Sequence, residues 1–173
     1  MRLSSYVGNT PLIPIRLGGY TVWGKCEFMN PGGSVKDRMA TYILDDAEDR
    51  KLIKKGDTLI EATSGNTGIA FAMLAAERGY NMKIVMPSNM SEERKQMLKF
   101  YGADLIQVET RNTLAESFGW FNCNQFHNPL NTEVHYKTTG PEINKQFRKL
   151  TSTDHKSTWP QAFVVGTGTG GTI

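Results

Sequence analysis

The sequence predicts an α/β protein with parallel strands, and two observations carry that prediction. Short apolar runs alternate with segments of helical periodicity, and turn residues punctuate nearly every junction between them. "YTVWGKCEF" (20–28) reads as a strand after a turn at Gly18-Gly19. Residues 36–52 read as a helix ended by "KKGD", and "TLIEA" (58–62) as a buried strand. Residues 69–78 form a helix that is apolar nearly all round, so it should be covered on most sides before Gly79 stops it. "MKIVMP" (82–87) is a strand closed by its proline. Ser91 caps a charged helix running to Tyr101, although Arg94 stands where a capping box wants an acid. "DLIQV" (104–108) is a fourth strand, while 110–124 is weakly patterned and leaves room for one short helix. "TTGPEINKQFRKL" starts a helix near Pro141. "AFVVG" (162–166) is a last strand, leading into a glycine-rich turn after which a helix is expected but only Ile173 follows.

The totals narrow the function. A chain of 173 residues can form one ordinary domain, burying roughly 70% of its unfolded surface. Its 20 basic and 17 acidic residues are interspersed, which argues against nucleic acid as a partner. No apolar run is long enough for a membrane span, and "MRLSSYVGNTPL" lacks the apolar core of a secretory leader. Cys26 and Cys123 lie far apart, which points to a reduced, cytoplasmic chain. The three histidines show no metal-ligand spacing, so no metal is expected.

Three loops carry chemistry. In "NPGGSVKDR" (30–38), Pro31 and the glycines exclude helix or strand interior, Ser34 reads as an N-cap, and Asp37 as its reciprocal partner in an acidic capping box. Lys36 then falls in the first turn of a helix; the plain alternative is a solvated lysine. The stretch is no Walker loop, because Asp37 follows the lysine where Ser or Thr is required. In "EATSGNTGIA" (61–70), a strand-to-helix turn aims backbone N–H groups at the helix N-terminus, and Thr63, Ser64, Asn66 and Thr67 add donors suited to a carboxylate. A well-capped turn would look the same. In "GTGTGGT" (166–172), the glycines let backbone amides close round a phosphate, with hydroxyls from Thr169 and Thr172. The dinucleotide fingerprint also fits its glycines, but needs a downstream helix and acid that do not follow. A lysine, a carboxylate nest and a phosphate cup together suit pyridoxal 5′-phosphate chemistry on amino acids.

Six motifs in order, "VGNTPL", "NPGGSVKDR", "EATSGNTGIA", "QFHNPLN", "HYKTTGPEI" and "GTGTGGT", closely resemble cysteine synthase (O-acetylserine sulfhydrylase), and 56–108 looks most like its B isozyme. The resemblance covers nearly the whole chain but only the N-terminal half of the family pattern. It implies the fold type II pyridoxal-phosphate architecture, with a three-layer small domain at 36–137 and an incomplete large domain from 1–35 and 138–173. It implies that Lys36 is the catalytic Schiff-base lysine and that Asn66 bonds the cofactor's phenolic oxygen. Gly168, Thr169, Gly170, Gly171 and Thr172 would hold its phosphate. Thr63, Ser64, Gly65, Thr67 and Gln125 would receive the substrate carboxylate. The implied reaction replaces the acetoxy group of O-acetyl-L-serine by sulfide or thiosulfate. A cytoplasmic homodimer is implied, and pairing with serine acetyltransferase is left open.

Two departures keep a second reading open. The family's C-terminal half has no counterpart here, including the residue that bonds the pyridine nitrogen, and the segment before Gln125 is shorter than usual. The alternatives are a truncated pseudoenzyme or fragment that binds cofactor or a partner, and, among enzymes, a cystathionine β-synthase-like chain.

Overall fold

The structure is a computed structural model that describes residues 2–63, 65–108, 119–151 and 159–172. A hairpin comes first: β1 (Leu12–Leu17) and β2 (Tyr20–Lys25) pair antiparallel, with Leu17 opposite Tyr20. Gly18 and Gly19, both at positive φ, make the two-residue turn. Two expectations fail here. β1 was not anticipated; its Pro14 lacks a donor, but in a two-stranded ribbon every strand is an edge, so that costs little. β2 also stops at Lys25, and Glu27–Met29 form a 3₁₀ turn.

The centre matches the expected alternation. α1 (Lys36–Asp49) precedes β3 (Thr58–Ala62), α2 (Asn66–Arg78), β4 (Asn81–Pro87), α3 (Glu92–Phe100) and β5 (Asp104–Val108). The strands are parallel in the order β5-β4-β3-β6, where β6 is only Phe121–Asn122 and lies against Leu59 and Ile60. α2 is buried from Ala70 to Ala75, as an all-round apolar helix must be. It packs with Met39, Ile43 and Leu44 of α1 and with Leu59, Ile84 and Met86 of the sheet in one core. α2 begins three residues earlier than periodicity indicates, since polar Asn66 and Thr67 occupy its first turn. The weakly patterned 110–124 lies largely outside the described residues.

After β6 the chain turns into α4 (Leu130–Val134), a π turn (His135–Thr139) and α5 (Gly140–Thr151). The sequence pointed only to the last of these. Pro141 lacks a donor and crowds the carbonyl four residues back, so the helix widens just before it. The expected strand at 162–166 is absent: the segment is exposed and has no neighbouring strand among the described residues. Alternation and apolarity make a strand only where a partner completes the ladder. Among the described residues no helix is long and apolar enough to cross a membrane, and Cys26 and Cys123 are buried and free.

Candidate functional site

Lys36 opens α1, and its approach is tied down by buried polar groups. Asn30 accepts a hydrogen bond from the Gly8 N–H (2.8 Å) and donates to Glu27 (2.9 Å). Ser34 Oγ accepts the Lys36 N–H at 3.1 Å. The expected capping box does not form: Asp37 turns back to accept the Gly32 N–H at 2.5 Å. Burial, opposed by that bond and aided by the Glu27 charge, raises the Asp37 carboxyl to about 6. Next in sequence, Arg38 is 2% exposed and bridges Glu27 (2.7 and 2.9 Å) and Glu142 (2.7 and 2.8 Å). Burial would raise the Glu142 carboxyl, but hydrogen bonds from Arg38 and Lys25 hold it at about 2. This cluster joins β2, the 3₁₀ turn, α1 and α5 beside Lys36.

The Lys36 side chain is half-buried, and among the described residues no carboxylate pairs with its amine. Burial alone lowers its pKa. The amine belongs to a cleft of about 810 Å³ whose walls include Trp23, Phe147 and the loop 166–172. Within that loop, nothing lies within 4 Å of where a Cβ would stand at Gly166, Gly168 or Gly170. Gly170 adopts φ +79°, a left-handed conformation suited to glycine. Gly171 instead sits so close to the Asn131 amide that a side chain there would collide with it.

Two residues that the sequence reading passed over support this loop. Asn131 Nδ2 donates to Thr169 Oγ1 (2.8 Å) and to the Gln125 carbonyl (3.0 Å). His135 Nε2 stands 3.2 Å from Thr172 Oγ1, and its Nδ1 2.8 Å from Thr139 Oγ1. Burial first, then the Lys36 and Arg38 cations, lower His135 to about 4, so it is neutral near pH 7. Their i, i+4 spacing was visible, but no helix was expected at 130–134, so their common face was not.

The loop after β3 forms a second cluster. Thr67 donates to Gln125 Oε1 at 2.6 Å, and the Gln125 N–H donates to Glu61 Oε2 at 3.3 Å. The Gly65 N–H donates to buried Thr63 Oγ1 at 3.3 Å. Glu61 is buried, which raises its carboxyl to about 7 against the hydrogen bonds from Gln125 and the Asn124 N–H. β6 brings these groups together: the Cys123 N–H donates to the Ile60 carbonyl at 3.0 Å, leaving Gln125 beside Thr67. Asn66 is exposed at the start of α2. Ser64 lies outside the described residues. Thr63, Gly65, Asn66, Thr67 and Gln125 do not line the Lys36 cleft, whereas Gly168, Thr169, Gly170, Gly171 and Thr172 do. Among the described residues no group of His, Cys, Asp and Glu gathers as a metal site.

A parallel α/β sheet, a lysine opening a helix and a glycine-rich loop across the cleft match the fold type II architecture of pyridoxal-phosphate enzymes. The chain belongs to the pyridoxal-phosphate dependent enzyme family, whose model matches residues 3–173. It is 41% identical to cysteine synthase from Staphylococcus aureus over 99% of its own length and 57% of that protein. It is 46% identical to cysteine synthase B from Salmonella typhimurium, covering 99% of itself and 58% of the relative. The crystal structure of a mutant O-ureido-L-serine synthase with O-ureido-L-serine bound matches with a TM-score of 0.88 at 38% identity, over 99% of this chain and 55% of that one. The chain thus spans little more than half the length of these relatives.

The residues present fit the family's cofactor. An unpaired amine of lowered basicity can meet an aldehyde, and the open space round Gly166, Gly168 and Gly170 leaves their backbone accessible to a phosphate.

Proposed function

We propose that this chain carries the cofactor-binding and amino-acid-binding part of a cysteine synthase. The proposed reaction replaces the acetoxy group of O-acetyl-L-serine by sulfide, giving L-cysteine, or by thiosulfate, giving S-sulfocysteine. One observation carries the reading: Lys36, half-buried and without a carboxylate partner, shares a cleft with Gly168–Thr172. When bound, pyridoxal phosphate supplies the electron sink that makes the substrate α-proton removable. Lys36 anchors the cofactor through its amine and, once released, takes the α-proton; its lowered pKa favours the neutral amine this requires. Gly168, Thr169, Gly170, Gly171 and Thr172 hold the phosphate. Thr63, Ser64, Gly65, Thr67 and Gln125 receive the substrate carboxylate, and Asn66 bonds the cofactor's phenolic oxygen. Because the carboxylate residues stand outside the cleft, their loop must close over substrate to complete the site. A cytoplasmic homodimer accompanies this reading. The second reading is a truncated chain or fragment that binds cofactor or a partner without turnover.

The test is the visible absorbance of the purified chain with pyridoxal phosphate, before and after O-acetylserine. A yellow band that changes on adding substrate supports the enzyme; a band that ignores substrate supports the second reading. In the Lys36→Ala variant the substrate response and all turnover should vanish, and turnover that persists removes Lys36 from its role.

A further inference from the structure

Hydroxyl groups have one proton each, and its direction is set by what else bonds the oxygen. At Thr169, Oγ1 accepts from Asn131 Nδ2 at 2.8 Å and from the Gly171 N–H at 3.4 Å. The orientation of the Asn131 amide is not free: the same Nδ2 serves the Gln125 carbonyl, which can only accept, so this atom must be the nitrogen. Asn131 is 3% exposed, and its Oδ1 has no partner among the described residues, so the side chain acts here only as a donor. With its lone pairs taken by two donors, Thr169 is left with its own proton to give to whatever occupies the cleft.

At Thr172 the partner is a histidine ring, whose tautomer sets the direction. His135 is buried, and its ring joins Thr139 Oγ1 on Nδ1 to Thr172 Oγ1 on Nε2. A neutral ring has one donor and one acceptor. If Thr139 donates to Nδ1, then Nε2–H donates to Thr172, whose proton is again released toward the cleft.

On the reading of 168–172 as the cofactor's phosphate cup, we infer that Asn131 and His135 are positioning residues that turn the Thr169 and Thr172 hydroxyl protons toward the phosphate. They touch neither the phosphate nor the substrate. With the Gly171 N–H, they occupy both acceptor sites of Thr169 and one of Thr172, which leaves both protons for a ligand and favours an anion. Asn131 also holds the Gln125 carbonyl, so one side chain ties the loop to the segment beside Thr67.

The experiment compares the affinity of the chain for pyridoxal phosphate and for pyridoxal, which lacks the phosphate, by titration of visible absorbance. It is run on the unaltered chain, N131A, H135F, T169V, T172V and the pairs N131A/T169V and H135F/T172V. The unaltered chain should prefer the phosphorylated compound, and N131A and H135F should each lose about tenfold of that preference, in keeping with a hydrogen bond to a charged group. Each pair should lose little more than its threonine variant alone. Equal weakening toward both compounds would make the two residues structural supports and overturn the inference, as would additive losses in the pairs. If the unaltered chain shows no preference, the phosphate cup itself is wrong, and the proposed function falls with it. Should a variant fail to fold, nitrogen-15 imidazole shifts in the unaltered chain decide for His135: Nε2–H is expected, and Nδ1–H overturns the relay. For Asn131, T169V alone decides, since it leaves the amide in place: an undiminished preference would show that no oriented proton was there.

Discussion

The cluster round Lys36 and the cluster round Thr67 are built from different interactions. Round Lys36 the framework is ionic: Arg38 with two carboxylates, Lys25 on Glu142, and Asp37 on the Gly32 N–H. Round Thr67 no side-chain ion pair is formed among the described residues: Thr67 bonds Gln125, and Gln125 bonds Glu61. Buried charge pairs are costly to break, so the first cluster holds its lysine in one place before any ligand arrives. A neutral hydrogen bond such as that of Thr67 to Gln125 can be exchanged at low cost, which suits a loop that must leave its partner for a substrate carboxylate. The contrast separates a preorganised anchor from a part that adapts.

Three perturbations, from the largest effect to the smallest, would break or sharpen that contrast. Arg38→Met strands Glu27 and Glu142 in partly buried positions and should cost about 3–5 kcal/mol of stability, read as a fall in the urea midpoint. A loss below about 1 kcal/mol would show that the ionic anchor is not rigid. Thr67→Val leaves Gln125 Oε1, now buried, without its donor and should cost about 1–3 kcal/mol. On the sheet edge, Asp104→Ala removes an exposed partner of Lys83 and should cost about 0–1 kcal/mol, a control for both.

The buried titratable groups should also respond to pH, in two opposite senses. Glu61 keeps its proton in the fold up to about 7, while an unfolded chain releases it near 4.5, so its contribution is full below 4.5 and is lost as pH rises through 7. Asp37, raised to about 6, acts in the same sense over a narrower window. His135 is held near 4 against 6.5 unfolded, so its contribution is full above 6.5 and is lost as pH falls through 4. Unfolding midpoints across pH 4–8 should therefore flatten between 4.5 and 7 in Glu61→Gln. An unchanged slope would place the titration elsewhere.

Much of this could be read from the chain alone. Short apolar runs and helical patterns located β3, α2, β4, α3 and β5 within a few residues, because burial on both sides of a parallel sheet demands continuous apolar runs. Lys36 and the glycine loop were legible because proline, glycine and capping residues act locally. What escaped was nonlocal. β1 and the unformed strand at 162–166 turn on whether a neighbour exists, not on their own residues. β6 is two residues long and matters only because Leu59 and Ile60 hold it, which puts Gln125 next to Thr67. Asn131 and His135 look like ordinary polar residues in sequence; folding places them under Thr169 and Thr172. The sequence by itself determined the alternating elements and the lysine's address, since those follow from local sterics and apolar periodicity. The tertiary structure alone decided which polar atoms meet, because a hydrogen bond across 38 residues depends on every element folded between them.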